Sequence, residues 1–174
     1  MFSSSFMVSK DFLERLPSIS RRIVRRVDPV ASAYYSRRSF ASKTSALSLN
    51  AKKRKGKKIT MVTAYDFPSA VHVARAGIDM ILVGDSVAMV ELGHETTQNV
   101  SIDNMIHHCQ SVKRGIELAG SGSMLVGDMP FGSYEYENTD IALQNAYRFV
   151  KEAGCDAVKL EVCKSLIRTA RRMS

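Results

Sequence analysis

The chain alternates between short apolar or β-branched runs and longer stretches in which apolar residues recur at helical spacing. The short runs predict four strands, at residues 59–65, 80–83, 123–126 and 156–160. A helix is predicted after each of the first three strands, beginning next to the capping residues Asp66, Ser101 and Thr139. Strands that alternate with helices in this way predict a parallel sheet.

Two architectures share this pattern, the doubly wound sheet and the (β/α)8 barrel. Side chains alternate along a strand, so Lys159 and Glu161 share one face of the fourth strand while Val158 and Leu160 share the other. In a barrel the polar pair points inward near the mouth, whereas in an open sheet it lies under a helix, where charge is costly. The pattern therefore favours the first four strands of a barrel.

Carboxylates follow three of the predicted strands. The tetrapeptide Leu-Val-Gly-Asp ends at Asp85 and again at Asp128, and the fourth strand leads into Glu161. A single aspartate after glycine at a strand end is ordinarily turn chemistry. Three carboxylates at one edge of a parallel sheet repel one another unless a cation neutralises them, and oxygen ligands suit Mg²⁺. We therefore predict a magnesium site, at which a 2-keto acid could chelate the ion while Lys159 holds its carboxylate.

The formal net charge of +8 belongs to the first third of the chain. Residues 1–58 hold 15 Lys and Arg against 3 Asp and Glu, whereas residues 59–174 hold 10 against 14. The folded part is therefore mildly acidic, which argues against a nucleic-acid partner. No apolar run reaches the length of about 18 residues that a membrane span needs.

The basic segment has the composition of a targeting sequence. Residues 1–40 are rich in Arg and Ser and poor in acids, which predicts a mitochondrial transit peptide processed near Phe40. A disordered basic arm is the alternative. Residues 41–58 are predicted to be a solvated basic linker, and residues 59–161 the N-terminal half of the barrel.

Residues 57–161 resemble the N-terminal part of the ketopantoate hydroxymethyltransferases. The matching stretches are residues 59–66 (ITMVTAYD), 83–86 (VGDS), 93–97 (GHETT), 128–131 (DMPF) and 158–161 (VKLE). The resemblance implies a (β/α)8 barrel that uses Mg²⁺ and assembles as a homo-oligomer. It implies transfer of a hydroxymethyl group from 5,10-methylenetetrahydrofolate to 3-methyl-2-oxobutanoate, giving 2-dehydropantoate in pantothenate biosynthesis. A mitochondrial leader fits the plant and fungal members.

The resemblance also implies roles for individual residues. By position, Asp85 and Asp128 would bind the metal and the keto acid, and Glu161 would complete the metal shell. Ser86 and Lys159 would bind the keto acid. His94 is next to this rim in the sequence and is equally compatible with a hydrogen bond to loop backbone and with a role at the substrate.

We expect the resemblance to end at Glu161, with residues 162–174 forming a divergent tail. The family's general base is then expected beyond Ser174, and the chain is expected to be a truncated or alternatively spliced enzyme. A non-catalytic fragment that associates with full-length subunits is the alternative. A third possibility, another Mg²⁺-enolate barrel of the phosphoenolpyruvate mutase and isocitrate lyase kind, fits the acids alone, but Phe131 and the 93–97 loop argue against it.

Overall fold

The computed structural model describes residues 42–135 and 139–161. Within these residues four strands form one parallel sheet in the order β1-β2-β3-β4. The strands are β1 Met61–Thr63, β2 Met80–Val83, β3 Met124–Asp128 and β4 Ala157–Lys159. The second strand has its predicted bounds, the first and fourth are shorter, and the third extends to Asp128, so that this carboxylate is part of the strand.

The strand order decides between the two architectures for this part of the chain. Each strand pairs with the one before it, so every crossover steps in the same direction across the sheet. A doubly wound sheet reverses its order at a switch point, which does not occur among the described strands. Right-handed crossovers that all step one way place their helices on one face, which is the arrangement of a (β/α)8 barrel.

The three predicted helices are present, and two of them begin at their expected caps. They are α2 Phe67–Arg75, α4 Ile102–Leu118 and α5 Thr139–Lys151. Asp66 accepts the backbone N–H of Ser69, and Ser101 and Asn104 form a reciprocal capping box. Thr139 is the first residue of α5 rather than its cap. No helix in the described ranges is long and apolar enough to cross a membrane.

Three helical segments were not predicted. Residues 41–58 were expected to form a linker, but Ala46–Arg54 is a helix, α1, initiated by a capping box between Ser45 and Ser48. It buries none of its residues, which explains why no apolar stripe signals it. The connection between β2 and α4 contains a single helical turn, α3 Val87–Val90, and a 3-10 turn at Thr97–Asn99.

The core lies between the sheet and the helices. Ile81, Val83 and Leu125 are fully buried on the face that meets α2, α4 and α5. Met80 and Leu82 point to the opposite face and are only half-buried, so β2 is not fully buried on both faces, although its unbroken apolar run is typical of such a strand. The helix-covered face thus supplies the packing, and the opposite face carries the polar side chains described next.

Candidate active site

The centre of the site is an ion pair between neighbouring strands. Asp128, the last residue of β3, is in register with Lys159, the last residue of β4, so the two side chains stand side by side. Lys159 Nζ lies 2.6 Å from both carboxylate oxygens of Asp128. The Asp128 residue is 2% exposed, whereas the Lys159 side chain keeps 35% of its surface exposed. The cation is therefore accessible from solvent, and its partner carboxylate is not.

The two Leu-Val-Gly-Asp repeats do not occupy equivalent positions. Val83 is in register with Gly127, so the second repeat is displaced by one residue relative to the first. Gly84 consequently lies beside Asp128, and a Cβ atom placed on Gly84 would be 3.9 Å from Asp128 Oδ2. Asp85 lies one position further along, where its backbone N–H donates to Asp128 Oδ2 at 3.1 Å. The first repeat thus contributes a backbone donor as well as a carboxylate.

Glu161 meets the site through Lys159. Its Oε1 atom is 3.6 Å from Lys159 Nζ, and 76% of its side chain is exposed. Its backbone N–H donates to the hydroxyl of the buried Tyr134 at 3.1 Å, which fixes the chain where it leaves β4. Glu161 lies two residues beyond the end of β4, and its carboxylate is on the same side of the chain as the Lys159 ammonium, as alternation predicts.

The ionisation of the pair reflects competition between burial and charge. Burial raises the pKa of Asp128, and the hydrogen bonds from Lys159 and from the Asp85 backbone oppose this shift without cancelling it. For Lys159, burial works to lower the pKa, but the hydrogen bond to Asp128 and the charges of Asp128, Glu161 and Asp85 outweigh it and leave the pKa raised. The surroundings of Lys159 therefore favour its protonated, charged form. Those of Asp128 do not fully stabilise its ionised form.

Ser86 lies beside this pair and is held by an aromatic side chain. The Ser86 hydroxyl is 2.8 Å from the hydroxyl of Tyr65, a residue that follows β1. The backbone oxygen of Tyr65 accepts a hydrogen bond from Nδ1 of His108, on α4, at 2.7 Å. Sequence reasoning assigned no role to Tyr65, His108 or Tyr134. Of the three, Tyr65 carries a signal of its own, because it is the last residue of the predicted first strand.

The structure brings Asp85, Ser86, Asp128 and Lys159 to one end of the sheet, with Glu161 at its edge. Across residues 42–135 and 139–161, no three His, Cys, Asp or Glu side chains are grouped closely enough to hold a metal ion together. The predicted metal and substrate roles of the five residues stay predictions. His94 is exposed, and its backbone N–H donates to Ala88 O at 2.8 Å; its side chain is left without an assigned role.

Solved structures of the same fold are barrels. A 2,3-dimethylmalate lyase described as a member of the phosphoenolpyruvate mutase/isocitrate lyase superfamily aligns with a TM-score of 0.50 and 15% identity, over 76% of this chain and 50% of that one. An oxaloacetate acetylhydrolase aligns with a TM-score of 0.51 and 15% identity, over 75% of this chain and 49% of that one. At this identity the likeness concerns the fold alone. It agrees with the four described strands being half of a (β/α)8 barrel.

Curated relatives are far more similar in sequence. The mitochondrial 3-methyl-2-oxobutanoate hydroxymethyltransferase 1 of Oryza sativa subsp. japonica is 55% identical over 113 residues, which are 65% of this chain and 30% of the relative. The mitochondrial 3-methyl-2-oxobutanoate hydroxymethyltransferase 1 of Arabidopsis thaliana is 52% identical, over 65% of this chain and 31% of the relative. The 3-methyl-2-oxobutanoate hydroxymethyltransferase of Moorella thermoacetica is 50% identical, over 71% of this chain and 44% of the relative. The chain thus spans between about a third and a half of the length of these relatives.

A sequence model of the family described as ketopantoate hydroxymethyltransferase matches residues 43–174. The match includes most of the segment predicted as a linker and all of residues 162–174, where we expected the resemblance to end. Those last residues lie outside the described ranges, so the structure adds nothing about them. Because the match covers most of the chain and the relatives share half of their aligned residues with it, the chain belongs to the ketopantoate hydroxymethyltransferase family.

Proposed function

We propose that this chain forms part of an enzyme that transfers a hydroxymethyl group to 3-methyl-2-oxobutanoate, the acceptor in the relatives' names. The product would be 2-dehydropantoate, in pantothenate biosynthesis. The observation that carries the proposal is the buried Asp128 carboxylate, paired with the accessible Lys159 ammonium at the end of the sheet where barrel enzymes place their chemistry.

The acceptor is a small 2-keto acid with one negative charge. Lys159 is the cation that can receive its carboxylate, since its pKa is raised and a third of its side chain faces solvent. Ser86 is a neutral hydroxyl just past the end of β2, two strands away from Lys159, and it can donate a second hydrogen bond. These two groups would fix the carboxylate and so orient the rest of the acceptor over the rim.

The charges and donor atoms of the site suit a bound Mg²⁺. Asp85, Asp128, Glu161 and Lys159 sum to a formal charge of −2 when all are ionised, which one dication balances. Mg²⁺ is commonly held by one or two carboxylates, with waters and substrate oxygens completing its shell. We propose that Asp85 and Asp128 hold the ion and that Glu161 acts at the edge of its shell. Once bound, the ion would supply positive charge that stabilises the charge developing on the acceptor's keto oxygen.

The remaining steps involve the C3 proton of the acceptor and the one-carbon donor. We propose 5,10-methylenetetrahydrofolate as the donor, as the family resemblance implies. Lys159 is protonated and Asp128 is already paired, so neither is suited to remove the C3 proton. The family resemblance implies a separate general base, so we assign to the rim the binding and orientation of the acceptor.

Calorimetric titration with 3-methyl-2-oxobutanoate tests this assignment. We expect binding in the presence of Mg²⁺ and its loss in EDTA. The matched control ligand is 3-methylbutanoate, which keeps the carboxylate but lacks the keto oxygen, and we expect it to bind much more weakly. Equal binding with and without Mg²⁺ would reject the metal, and no difference between the two acids would reject keto-acid recognition. Transfer from ¹³C-labelled methylenetetrahydrofolate, followed by NMR, tests the donor.

We further propose a mitochondrial location and assembly into a homo-oligomer. The plant relatives are named as mitochondrial proteins, and residues 1–58 carry 15 basic against 3 acidic residues, as import signals do. A fluorescent reporter fused to residues 1–45 should enter mitochondria and be cleaved near Phe40. Cytosolic fluorescence from an uncleaved fusion would reject the import signal. Light scattering of the purified protein tests the oligomer.

A further inference from the structure

The hydroxyl of Tyr65 is directed at the side chain proposed to bind the acceptor. Tyr65 follows β1, and its hydroxyl oxygen is 2.8 Å from Ser86 Oγ, at the end of β2. Both residues are half-buried, so water competes only partly for this hydrogen bond. The contact joins two strand ends through side chains, beyond the backbone ladder of the sheet.

Tyr65 is itself held in place from two sides. The backbone N–H of Ala64, the preceding residue, donates to Leu82 O at 3.1 Å and continues the pairing of β1 with β2. On the other side, His108 Nδ1 is 2.7 Å from the backbone oxygen of Tyr65. A carbonyl oxygen can only accept, so His108 carries a proton on Nδ1. The base of the Tyr65 side chain is thus fixed by both the sheet and α4.

We propose that Tyr65 is a positioning residue for Ser86. A hydroxyl has one proton to donate and lone pairs to accept. When the Tyr65 hydroxyl donates to Ser86 Oγ, the proton of Ser86 is left to point at the acceptor's carboxylate. Without that donor, the Ser86 hydroxyl can rotate freely or donate its hydrogen bond to another oxygen. The inference rests on the proposed function, because it requires Ser86 to contact the keto acid.

A double-mutant cycle tests the inference. The dissociation constant of 3-methyl-2-oxobutanoate, measured with Mg²⁺ present, is compared for wild type, Tyr65→Phe, Ser86→Ala and the double variant. Tyr65→Phe keeps the ring and removes only the oxygen, so we expect binding about 2- to 10-fold weaker, the range for one hydrogen bond. If Tyr65 acts through Ser86, the double variant binds no more weakly than Ser86→Ala.

The matched control is Tyr134→Phe. Tyr134 is a second tyrosine at the same rim, but its hydroxyl accepts the backbone N–H of Glu161 and does not touch Ser86. Any effect of Tyr134→Phe should therefore add to that of Ser86→Ala. A second measurement needs no ligand: in amide NMR spectra, Tyr65→Phe should shift the signals around Ser86, and Tyr134→Phe those around Glu161.

The outcomes separate this inference from the proposed function. If Ser86→Ala weakens binding but Tyr65→Phe does not, or if the two effects add, the positioning role is overturned and the proposed function stands. If Ser86→Ala leaves binding unchanged, Ser86 has no substrate role, and both that assignment and this inference fall. Unshifted Ser86 signals in Tyr65→Phe would overturn the hydrogen bond itself.

Discussion

The two ends of the parallel sheet contain the same kind of ion pair in opposite electrostatic situations. At the carboxyl end, Lys159 donates to both oxygens of Asp128, yet burial raises the pKa of that carboxyl. At the amino end, Lys52 donates to both oxygens of Asp79, and this hydrogen bond, followed by that from the backbone of Thr60, lowers the pKa. An aspartate–lysine pair is therefore not enough to predict which protonation state the fold favours.

The difference lies in how completely each carboxylate is supplied with donors. Asp79 also accepts the side-chain hydroxyl of Thr60, and its side chain keeps 15% exposure to water. Through these hydrogen bonds the Asp79 carboxylate links α1 to the residues that begin β1 and β2, which is a structural role. Asp128 is 3% exposed by side chain, and its donors do not offset the loss of water. Carboxylates with incompletely compensated burial cluster at functional sites, where a ligand supplies the missing stabilisation.

The largest expected effect follows from removing the buried charge at the carboxyl end. Asp128→Asn removes the anion that we propose as a hard ligand of Mg²⁺. We therefore expect the affinity for Mg²⁺ with 3-methyl-2-oxobutanoate to fall by at least about 100-fold, because even outer-shell changes at metal sites cost roughly 10- to 100-fold. Calorimetry with both ligands measures it. The matched control is Asp79→Asn, which makes the same chemical change at the other end and should leave binding within about twofold. Equal losses in both variants would contradict the division of roles.

The second prediction compares the two glycines of the Leu-Val-Gly-Asp repeats. A Cβ atom on Gly127 would lie 2.5 Å from Phe149 Cδ1 and 3.0 Å from Cys155 Sγ, both in the core. Gly127→Ala should therefore lower the free energy of unfolding by about 1–3 kcal/mol, as overpacked cores do. Urea denaturation measures this loss.

Gly84→Ala is the control for that measurement, because it makes the same substitution in the other repeat. Its Cβ atom would meet Ser86 Oγ at 2.8 Å, and a serine side chain can rotate away more easily than a buried ring. We expect a smaller loss of stability and a clearer loss of keto-acid affinity. A larger stability loss in Gly84→Ala than in Gly127→Ala would contradict the assignment of the two repeats to rim and core.

A third, smaller effect concerns the amino end of the sheet. Asp79→Asn weakens the hydrogen bonds from Lys52 and Thr60, so we expect the free energy of unfolding to fall by about 1–2 kcal/mol, after allowing for partial solvent screening. Urea denaturation at neutral pH provides the value. Lys52→Met removes the partner instead, and the double variant should lose less than the sum of the two single losses. If the two losses of stability simply add, the interaction between Lys52 and Asp79 contributes nothing to stability.

The smallest effect is a difference in titration. In ¹³C NMR titrations without metal, the Asp79 carboxyl should titrate below the ordinary aspartate range and Asp128 above it. By linkage, Asp79 adds stability above its unfolded pKa that is lost as the pH falls through its folded pKa. Asp128 has the opposite sign, so stability falls as the pH rises from its unfolded to its folded pKa. Mg²⁺ should lower the pKa of Asp128 and leave that of Asp79 unchanged; equal responses would refute the metal assignment.

Much of the fold could be predicted because it depends on local patterns. The strand β2, the caps Asp66 and Ser101 and the apolar stripe of α4 each follow from a few adjacent residues. The helix α1 could not be predicted in this way. Its last three residues are all basic, it buries none of its residues, and a distant partner, Asp79, fixes it in place.

The site was predicted as a set of residues but not as an arrangement. Identical tetrapeptides at two strand ends suggest equivalent positions, yet β2 and β3 pair one residue out of step with the repeat. That register depends on packing against the helices, which strand sequences do not reveal. The sequence also predicted that Lys159 faces the rim, but not that it would bind Asp128 at 2.6 Å, since alternation defines a face without naming the neighbour.

The sequential order of the strands has a consequence for how the protein assembles during synthesis. Each described strand pairs with the strand made just before it, so no strand must wait for a distant partner. Paired residues lie 19 to 44 positions apart along the chain, so each pairing closes a loop of one strand-helix unit, and the entropic cost of closure rises with loop length. Pulsed hydrogen exchange during refolding should protect the pairing of β1 with β2 no later than that of β3 with β4, and the reverse order would contradict this. The half-barrel can therefore grow one strand-helix unit at a time as the chain emerges from the ribosome.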